Sequence, residues 1–179
     1  MIGVILAGGL GRRMGGAKPA RDLNGRPLAS YPAAALRASC DRVAIVAKRD
    51  SELPVLDGVD RWDEPDEPRH PLTGIVHALE RAGGDALVCA ADMPCVTPGA
   101  CRTLIAARAI ATAGGRLQPL FGVYRFEWLD TLRAAPPDTA LTRTVETLDP
   151  PLVELPEDVV QSVDTPEGLR AIAARRPER

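Results

Sequence analysis

Short uncharged runs alternate with alanine-rich amphipathic stretches along most of this chain. Val4 to Ala7, Val43 to Ala47 and Asp85 to Ala91 are too brief for helices and almost free of charge, which predicts strands buried on both faces. Leu28 to Ser39 predicts a helix with Pro32 near its first turn. Leu72 to Ala82 and Pro98 to Ala113 predict two more, the latter with a proline at its start. Later in the chain, Pro119 to Tyr124, Leu152 to Leu155 and Val159 to Val163 predict strands, and Pro166 to Ala174 predicts the final helix. Asn24-Gly25 marks a turn, Gly58 to Trp62 a polar connection, Asp63 to Pro71 a long Pro- and acid-rich loop, and Ala135 to Asp138 a Pro-rich break. This alternation predicts an α/β fold: a mostly parallel sheet with helices on both faces, binding ligands outside the C-terminal ends of its strands.

Composition narrows the partner. With 179 residues and 45% hydrophobic content, the chain suits one domain over residues 1–179, of which 175–179 read as a frayed tail. A formal charge of −2 argues against a general nucleic-acid or membrane surface and for a small-molecule partner. Only 3% of residues are aromatic, which leaves few stacking platforms for single-stranded nucleic acid. The first residues lack the charged start, apolar middle and small-residue cleavage site of a secretory signal, so a cytoplasmic location is expected. Cys40, Cys89, Cys95 and Cys101 show no C-x-x-C spacing and only two histidines accompany them, a pattern for reduced thiols and against a zinc site.

The chemistry concentrates at the first strand. Leu6-Ala7-Gly8-Gly9-Leu10-Gly11-Arg12-Arg13-Met14-Gly15-Gly16-Ala17-Lys18 joins glycines, which let backbone N–H groups approach an anion, to three full positive charges. A phosphate-bearing ligand follows. The Walker-type loop fits badly, because Ala17-Lys18-Pro19 stands where Lys and a hydroxyl residue are needed at once, with no hydroxyl for magnesium. The dinucleotide fingerprint fits badly too, since Met14 replaces the third small residue, so a nicotinamide oxidoreductase is a minor alternative.

A second apolar strand ends in Ala91-Asp92-Met93-Pro94, which aims one carboxylate at the ligand crevice. Magnesium on a nucleoside triphosphate is usually held by one or two carboxylates plus phosphates and waters, and Asp92 suits that part. In Val163-Asp164-Thr165-Pro166-Glu167, Asp164 or Thr165 before Pro166 suits the cap of the last helix, and Asp164 is also open to joining Asp92 at a metal.

Leu6-Ala7-Gly8-Gly9-x-Gly11-x-Arg13-Met14-Gly15-Gly16, Lys18 and Leu23-Asn24-Gly25-Arg26-Pro27-Leu28 resemble molybdenum cofactor guanylyltransferases of the MobA type. Pro71-Leu72-Thr73-Gly74-Ile75, Ala91-Asp92-Met93-Pro94, Gln118 to Tyr124 and Asp164-Thr165-Pro166-Glu167 resemble later family segments in the same order. The resemblance implies a Rossmann-like three-layer sandwich of the nucleotide-diphospho-sugar-transferase type. It also implies transfer of GMP from magnesium GTP to the terminal phosphate of molybdopterin, releasing pyrophosphate and forming a guanine dinucleotide. Under it, Leu6, Ala7, Gly8 and Gly9 line the nucleotide, Lys18 meets its phosphates, Asp63 the base and Asp92 the Mg2+. The implied partners are GTP and molybdopterin, with the chain a monomer or in transient contact with molybdoenzyme maturation proteins.

Physical chemistry adds two points. Arg13 suits a clamp on phosphate or leaving group, because guanidinium grips phosphate oxygens in a two-pronged geometry. Guanine offers an N1–H and a 2-amino group side by side, a match for two carboxylate oxygens, and Asp63 or its neighbour Asp66 can supply them, unless both are simply solvated loop acids. Against the family pattern, the loop before Lys18 is one residue short, Lys48 replaces an Asn, and Asp164 stands where guanylyltransferases often carry Asn. Cytidyl transfer to molybdopterin, transfer to another phosphorylated acceptor and a non-catalytic nucleotide-binding module are the alternatives.

Overall fold

The computed structural model describes residues 1–8, 17–136 and 138–175. In chain order the elements are β1 (Ile2–Leu6), β2 (Asp22–Leu23), β3 (Arg26–Pro27), α1 (Ser30–Arg37), β4 (Arg42–Ala47), β5 (Asp60–Asp63), α2 (Pro71–Ala82) and β6 (Ala86–Ala90). They continue as α3 (Pro98–Ala107), β7 (Ile110–Ala113), β8 (Arg116–Tyr124), α4 (Leu129–Ala134), α5 (Leu141–Glu146), β9 (Leu152–Glu154) and α6 (Pro166–Arg175). Among the described residues, seven strands form one sheet in the order β5-β4-β1-β6-β8-β7-β9. All run parallel except β8, which is antiparallel to both β6 and β7.

Period-two alternation sorts the central strands' side chains between two cores. Ile5, Val43, Ile45, Leu87 and Cys89 pack on one face with Ala33 and Leu36 of α1 and Cys101 and Leu104 of α3. Val4, Ala44, Val46, Ala86 and Val88 pack on the other with Ile75 and Leu79 of α2, Leu132 of α4 and Val145 of α5. A mostly parallel sheet between two helical layers is the architecture that the alternating pattern predicts. A third, small cluster joins Leu23 and Leu28 around the β2–β3 hairpin to Val163 and Ile172, so α6 clamps the hairpin.

Four local expectations change. The span Gly58 to Trp62 contains the start of β5, an edge strand in which only Trp62 is buried, and so lacks an apolar run. The helix expected over Pro98 to Ala113 stops at Ala107, where Arg108 turns left-handed (φ 49°), and Ile110–Ala113 pair as β7. Val159 to Val163 is no strand: a turn leads into a segment whose Val163 N–H donates to the Asp92 carbonyl at 2.9 Å. The short helices α4 and α5 flank the Pro-rich break at Ala135 to Asp138, where the sequence pattern predicted no element. Among the described residues, no helix is long and apolar enough to cross a membrane.

The chain's path along the sheet decides where a ligand fits. After β1 it moves outward through β4 to β5, then returns to place β6 on the other side of β1. The order therefore reverses between β1 and β6, and a crevice opens past their C-terminal ends. Leu6 pairs with Ala90 at that edge. Ala7 N–H donates to the Val46 carbonyl at 2.8 Å and Ala91 N–H to the Leu6 carbonyl at 3.0 Å, which ties three strand ends into one rim.

Candidate active site

Past that rim lies a cleft of about 450 Å3, lined by Leu6, Ala7, Gly8, Lys18, Asp92 and Asp164 on one side and by Lys48, Glu64, His70 and Gly74 on the other. Glu64, Lys48, Gly8 and Asp92 follow within two residues the ends of four consecutive strands of the sheet, β5, β4, β1 and β6. Glu64 reaches from the end of β5 to Gly8 at the end of β1, where an added Cβ would stand 2.2 Å from its Oε1. The charged side chains fall into two poles.

At the first pole, Lys18 holds two carboxylates. Its Nζ donates to Asp92 Oδ2 and, at 2.8 Å, to Asp164 Oδ1. Lys18 reaches the cleft from a short 3-10 turn, Lys18–Ala20, whose Pro19 is buried and whose preceding Ala17 is left-handed (φ 43°). Asp92 arrives at the end of β6, and the Val163–Asp92 backbone bond lays Asp164 beside it. Burial alone would lower the Lys18 pKa, but the two carboxylates together outweigh it and hold the ammonium above its ordinary value. Of the two cap candidates for α6, the Thr165 hydroxyl accepts from Gly168 N–H at 3.0 Å. Two carboxylates converging on one cation are a donor set for a hard divalent ion, which phosphates and water complete.

At the second pole, Lys48 and Glu64 are almost fully enclosed, with side chains 1% and 4% exposed. Lys48 Nζ stands 3.5 Å from Glu64 Oε1 and donates to the carbonyls of Pro65 and, at 3.2 Å, Pro68. It thereby fixes the loop that leads into α2. Burial pushes the Glu64 carboxyl above the usual carboxylate range, against the pull of the Lys48 charge. Helix α2 begins at the cleft, its first N–H groups capped by His70, whose Nδ1 accepts from Leu72 N–H at 3.2 Å.

Leu6, Ala7, Gly8, Lys18 and Asp92 thus share the cleft that their sequence positions predict. Gly9 and Arg13 lie outside the described residues. Asp63 lies outside the cleft lining: it follows Trp62 on β5, half-exposed and paired with Arg61 Nε at 2.8 Å, while the next residue, Glu64, lines the cleft. Asp66 is exposed and does not line the cleft either. Glu64 was hidden among the acids of residues 63–67. The usable signal was Lys48: a lysine directly after a five-residue apolar strand needs a buried counter-charge.

Residues 3–152 match the family model described as MobA-like NTP transferase domain. The chain belongs to the MobA-like NTP transferase family. It is 41% identical over 140 residues to a molybdenum cofactor guanylyltransferase of Cereibacter sphaeroides, covering 69% of this chain and 68% of that one. It is 31% identical over 187 residues to a protein named probable molybdenum cofactor guanylyltransferase in Thermococcus gammatolerans, covering 94% and 97%. Its fold matches the molybdopterin-guanine dinucleotide biosynthesis protein A of Archaeoglobus fulgidus with a TM-score of 0.74 at 21% identity, covering 98% and 100% of the two chains. It also matches Rv0371C of Mycobacterium tuberculosis, in a structure with manganese, with a TM-score of 0.73 at 18% identity over 98% of each chain. As a MobA-like NTP transferase the chain is a nucleotidyltransferase, and the rim between β1 and β6 is where its fold opens to a ligand.

Proposed function

We propose that this nucleotidyltransferase moves GMP from GTP to the terminal phosphate of molybdopterin, with Mg2+, and releases pyrophosphate. The observation that carries this reading is the Lys18–Asp92–Asp164 cluster at the point where the strand order reverses. In the transfer, an oxygen of the acceptor phosphate bonds to the α-phosphorus of GTP, the α–β bridging bond breaks, and its electrons leave with pyrophosphate. No covalent enzyme intermediate is required, so the protein's work is positioning and charge neutralisation.

Asp92 and Asp164 would hold the magnesium ion, whose contribution is to offset phosphate charge and polarise the reacting phosphoryl group. Lys18, kept cationic between these carboxylates, supplies a mobile ammonium for the phosphates. Leu6, Ala7 and Gly8 place the backbone of the β1 end against the nucleotide, and Arg13 adds a guanidinium on sequence grounds. The molybdopterin acceptor rests on the relatives' names.

Titrating GTP, CTP, ATP and UTP with Mg2+ into the chain tests the reading. GTP-selective binding that weakens strongly in Asp92→Ala is the expected result. Tighter CTP binding moves the assignment to cytidyl transfer, and binding of no triphosphate removes the nucleotidyl reading altogether.

A further inference from the structure

Lys18 stands where the proposed magnesium ion would bind. Its Nζ donates to Asp92 Oδ2 and, at 2.8 Å, to Asp164 Oδ1, so one ammonium is shared by one oxygen of each carboxylate. A divalent ion ligated by the same two oxygens, at about 2.1 Å from each, would take nearly the same place. Two cations cannot share it, because repulsion between charges in a partly enclosed site far exceeds its value in water. The Lys18 side chain is only 15% exposed.

The surroundings hold the carboxylates in place without help from Lys18. Asp164 Oδ2 accepts from the Ser162 hydroxyl at 3.2 Å, and Val163 N–H donates to the Asp92 carbonyl at 2.9 Å. The main chain of Lys18 is pinned too. Arg21 N–H donates to the Lys18 carbonyl at 3.2 Å, Ala29 N–H donates to the Pro19 carbonyl at 3.0 Å, and Pro19 is buried. What can move is the ammonium, on its flexible four-carbon stem. Among the described residues, no group of three or more His, Cys, Asp or Glu is placed to hold a metal ion. The described part of the chain therefore offers a divalent ion two carboxylates and a competitor already between them. Triphosphate oxygens can supply further ligands to the ion and, at the same time, a new partner for the ammonium.

We propose that Lys18 is a tethered counter-cation that keeps free divalent metal off Asp92 and Asp164, and that it yields the place only to metal carried by a triphosphate, onto whose oxygens the ammonium then swings. This inference rests on the nucleotidyl-transfer reading above and adds how its metal site is regulated. Two carboxylates and one ammonium leave a single negative charge in the cluster. Displaced by a free ion, the ammonium exchanges two charge-assisted hydrogen bonds for water; displaced in the presence of a triphosphate, it exchanges them for phosphate oxygens. The same exchange in reverse returns Lys18 to the carboxylates as pyrophosphate departs with its metal.

The test follows Mn2+, a paramagnetic substitute for Mg2+, by the electron paramagnetic resonance signal of the unbound ion. Dissociation constants are measured for Mn2+ alone and for preformed Mn–GTP, with the native chain, Lys18→Met, Lys18→Gln and Lys18→Met/Asp92→Asn. Lys18→Met is expected to bind free Mn2+ roughly tenfold or more tighter than the native chain, the worth of one charge-assisted hydrogen bond that the ion no longer displaces. Its affinity for Mn–GTP should not rise alongside, because the phosphates lose their ammonium. Lys18→Gln should behave in the same way and serves if Lys18→Met does not fold. Adding Asp92→Asn should abolish the gain, which locates it at these carboxylates. A lysine that only grips phosphates would leave free Mn2+ binding unchanged in both Lys18 variants, and that result overturns the inference while leaving nucleotidyl transfer standing. Equal tightening of Mn2+ and Mn–GTP overturns it as well, since the ammonium would then have no second partner. A native chain that binds no Mn–GTP overturns the functional reading and this inference together.

Discussion

Replacing Gly8 with alanine puts the packing around Glu64 to a direct test. The new methyl carbon would lie 2.2 Å from Glu64 Oε1, at least about 1 Å inside van der Waals contact. The end of a glutamate can usually swing aside, but here that motion would part it from Lys48 and carry the carboxylate into the cleft. Lys48 stands 3.5 Å from the same oxygen, the side chain is 4% exposed, and the other oxygen already rests against Gly74. Either the end of β1 shifts or Glu64 is expelled into the cleft. Overpacking of this kind costs about 1–3 kcal/mol, and for a chain of this size that lowers Tm by roughly 2–12 °C. GTP affinity should fall in parallel, since the β1 end that lines the cleft would be displaced. Thermal unfolding and calorimetric titration of Gly8→Ala measure the two effects, with Gly84→Ala as the control because a Cβ there meets nothing within 4 Å. Gly8→Ala/Glu64→Ala should be no less stable than Glu64→Ala alone, a coupling that only a shared contact produces. If Gly8→Ala unfolds and binds GTP like the native chain, the enclosed Glu64 described here is wrong.

Three further predictions follow from other parts of the molecule. A Cβ on Gly122 would meet the Ile110 Cα at 2.6 Å and the Ala109 carbonyl at 3.0 Å; because backbone cannot step aside as a side chain can, Gly122→Ala should cost about 3 kcal/mol or more in urea unfolding, and native-like stability would contradict the close β7–β8 approach. Burial pushes the Cys101 thiol up to about 12 and the Cys89 thiol well above its ordinary value. Unfolded thiols lose their protons near pH 8.5 while the folded ones keep them, so the native state binds more protons and stability must fall as pH rises above about 8.5, by about 1.4 kcal/mol per pH unit for each thiol. A flat stability profile from pH 8 to 10.5, or an unchanged slope in Cys89→Ala/Cys101→Ala, would refute it. Finally, Asp92→Asn should cut pyrophosphate release by about a hundredfold or more, and Asp164→Asn should raise the Mg2+ concentration needed for half-maximal rate; an Asp164→Asn variant with native magnesium dependence would return Asp164 to a purely structural part.

The two layers and the parallel sheet were legible because period-two alternation in a sheet covered on both sides turns whole strands apolar, as in Val43 to Ala47 and Ala86 to Ala90. Boundaries failed where that contrast vanished. Alanine populates both α3 and β7, so Pro98 to Ala113 has one composition and two structures. Edge strand β5 hides because three of its four residues are exposed. Lys18, Asp92 and Asp164 could be read in advance, since residues that follow strands in an open α/β sheet gather at one edge. Lys18 and Asp92 are 74 positions apart in the chain yet share a hydrogen bond. Glu64 could not, because Asp63, Glu64, Asp66 and Glu67 are chemically alike in sequence. What separates them is the turn at the end of β5 and the absence of side chains at Gly8 and Gly74, which appears only once the chain is folded.

The measurement that bears most directly on the central claim is single-turnover incubation of the purified chain with Mg2+, molybdopterin and each of GTP and CTP, following pyrophosphate release and identifying the product by mass spectrometry. A molybdopterin guanine dinucleotide formed from GTP, with one pyrophosphate released per product and both signals lost in Asp92→Asn, is the predicted result. Product from CTP in preference to GTP, or pyrophosphate release that survives Asp92→Asn, would contradict it.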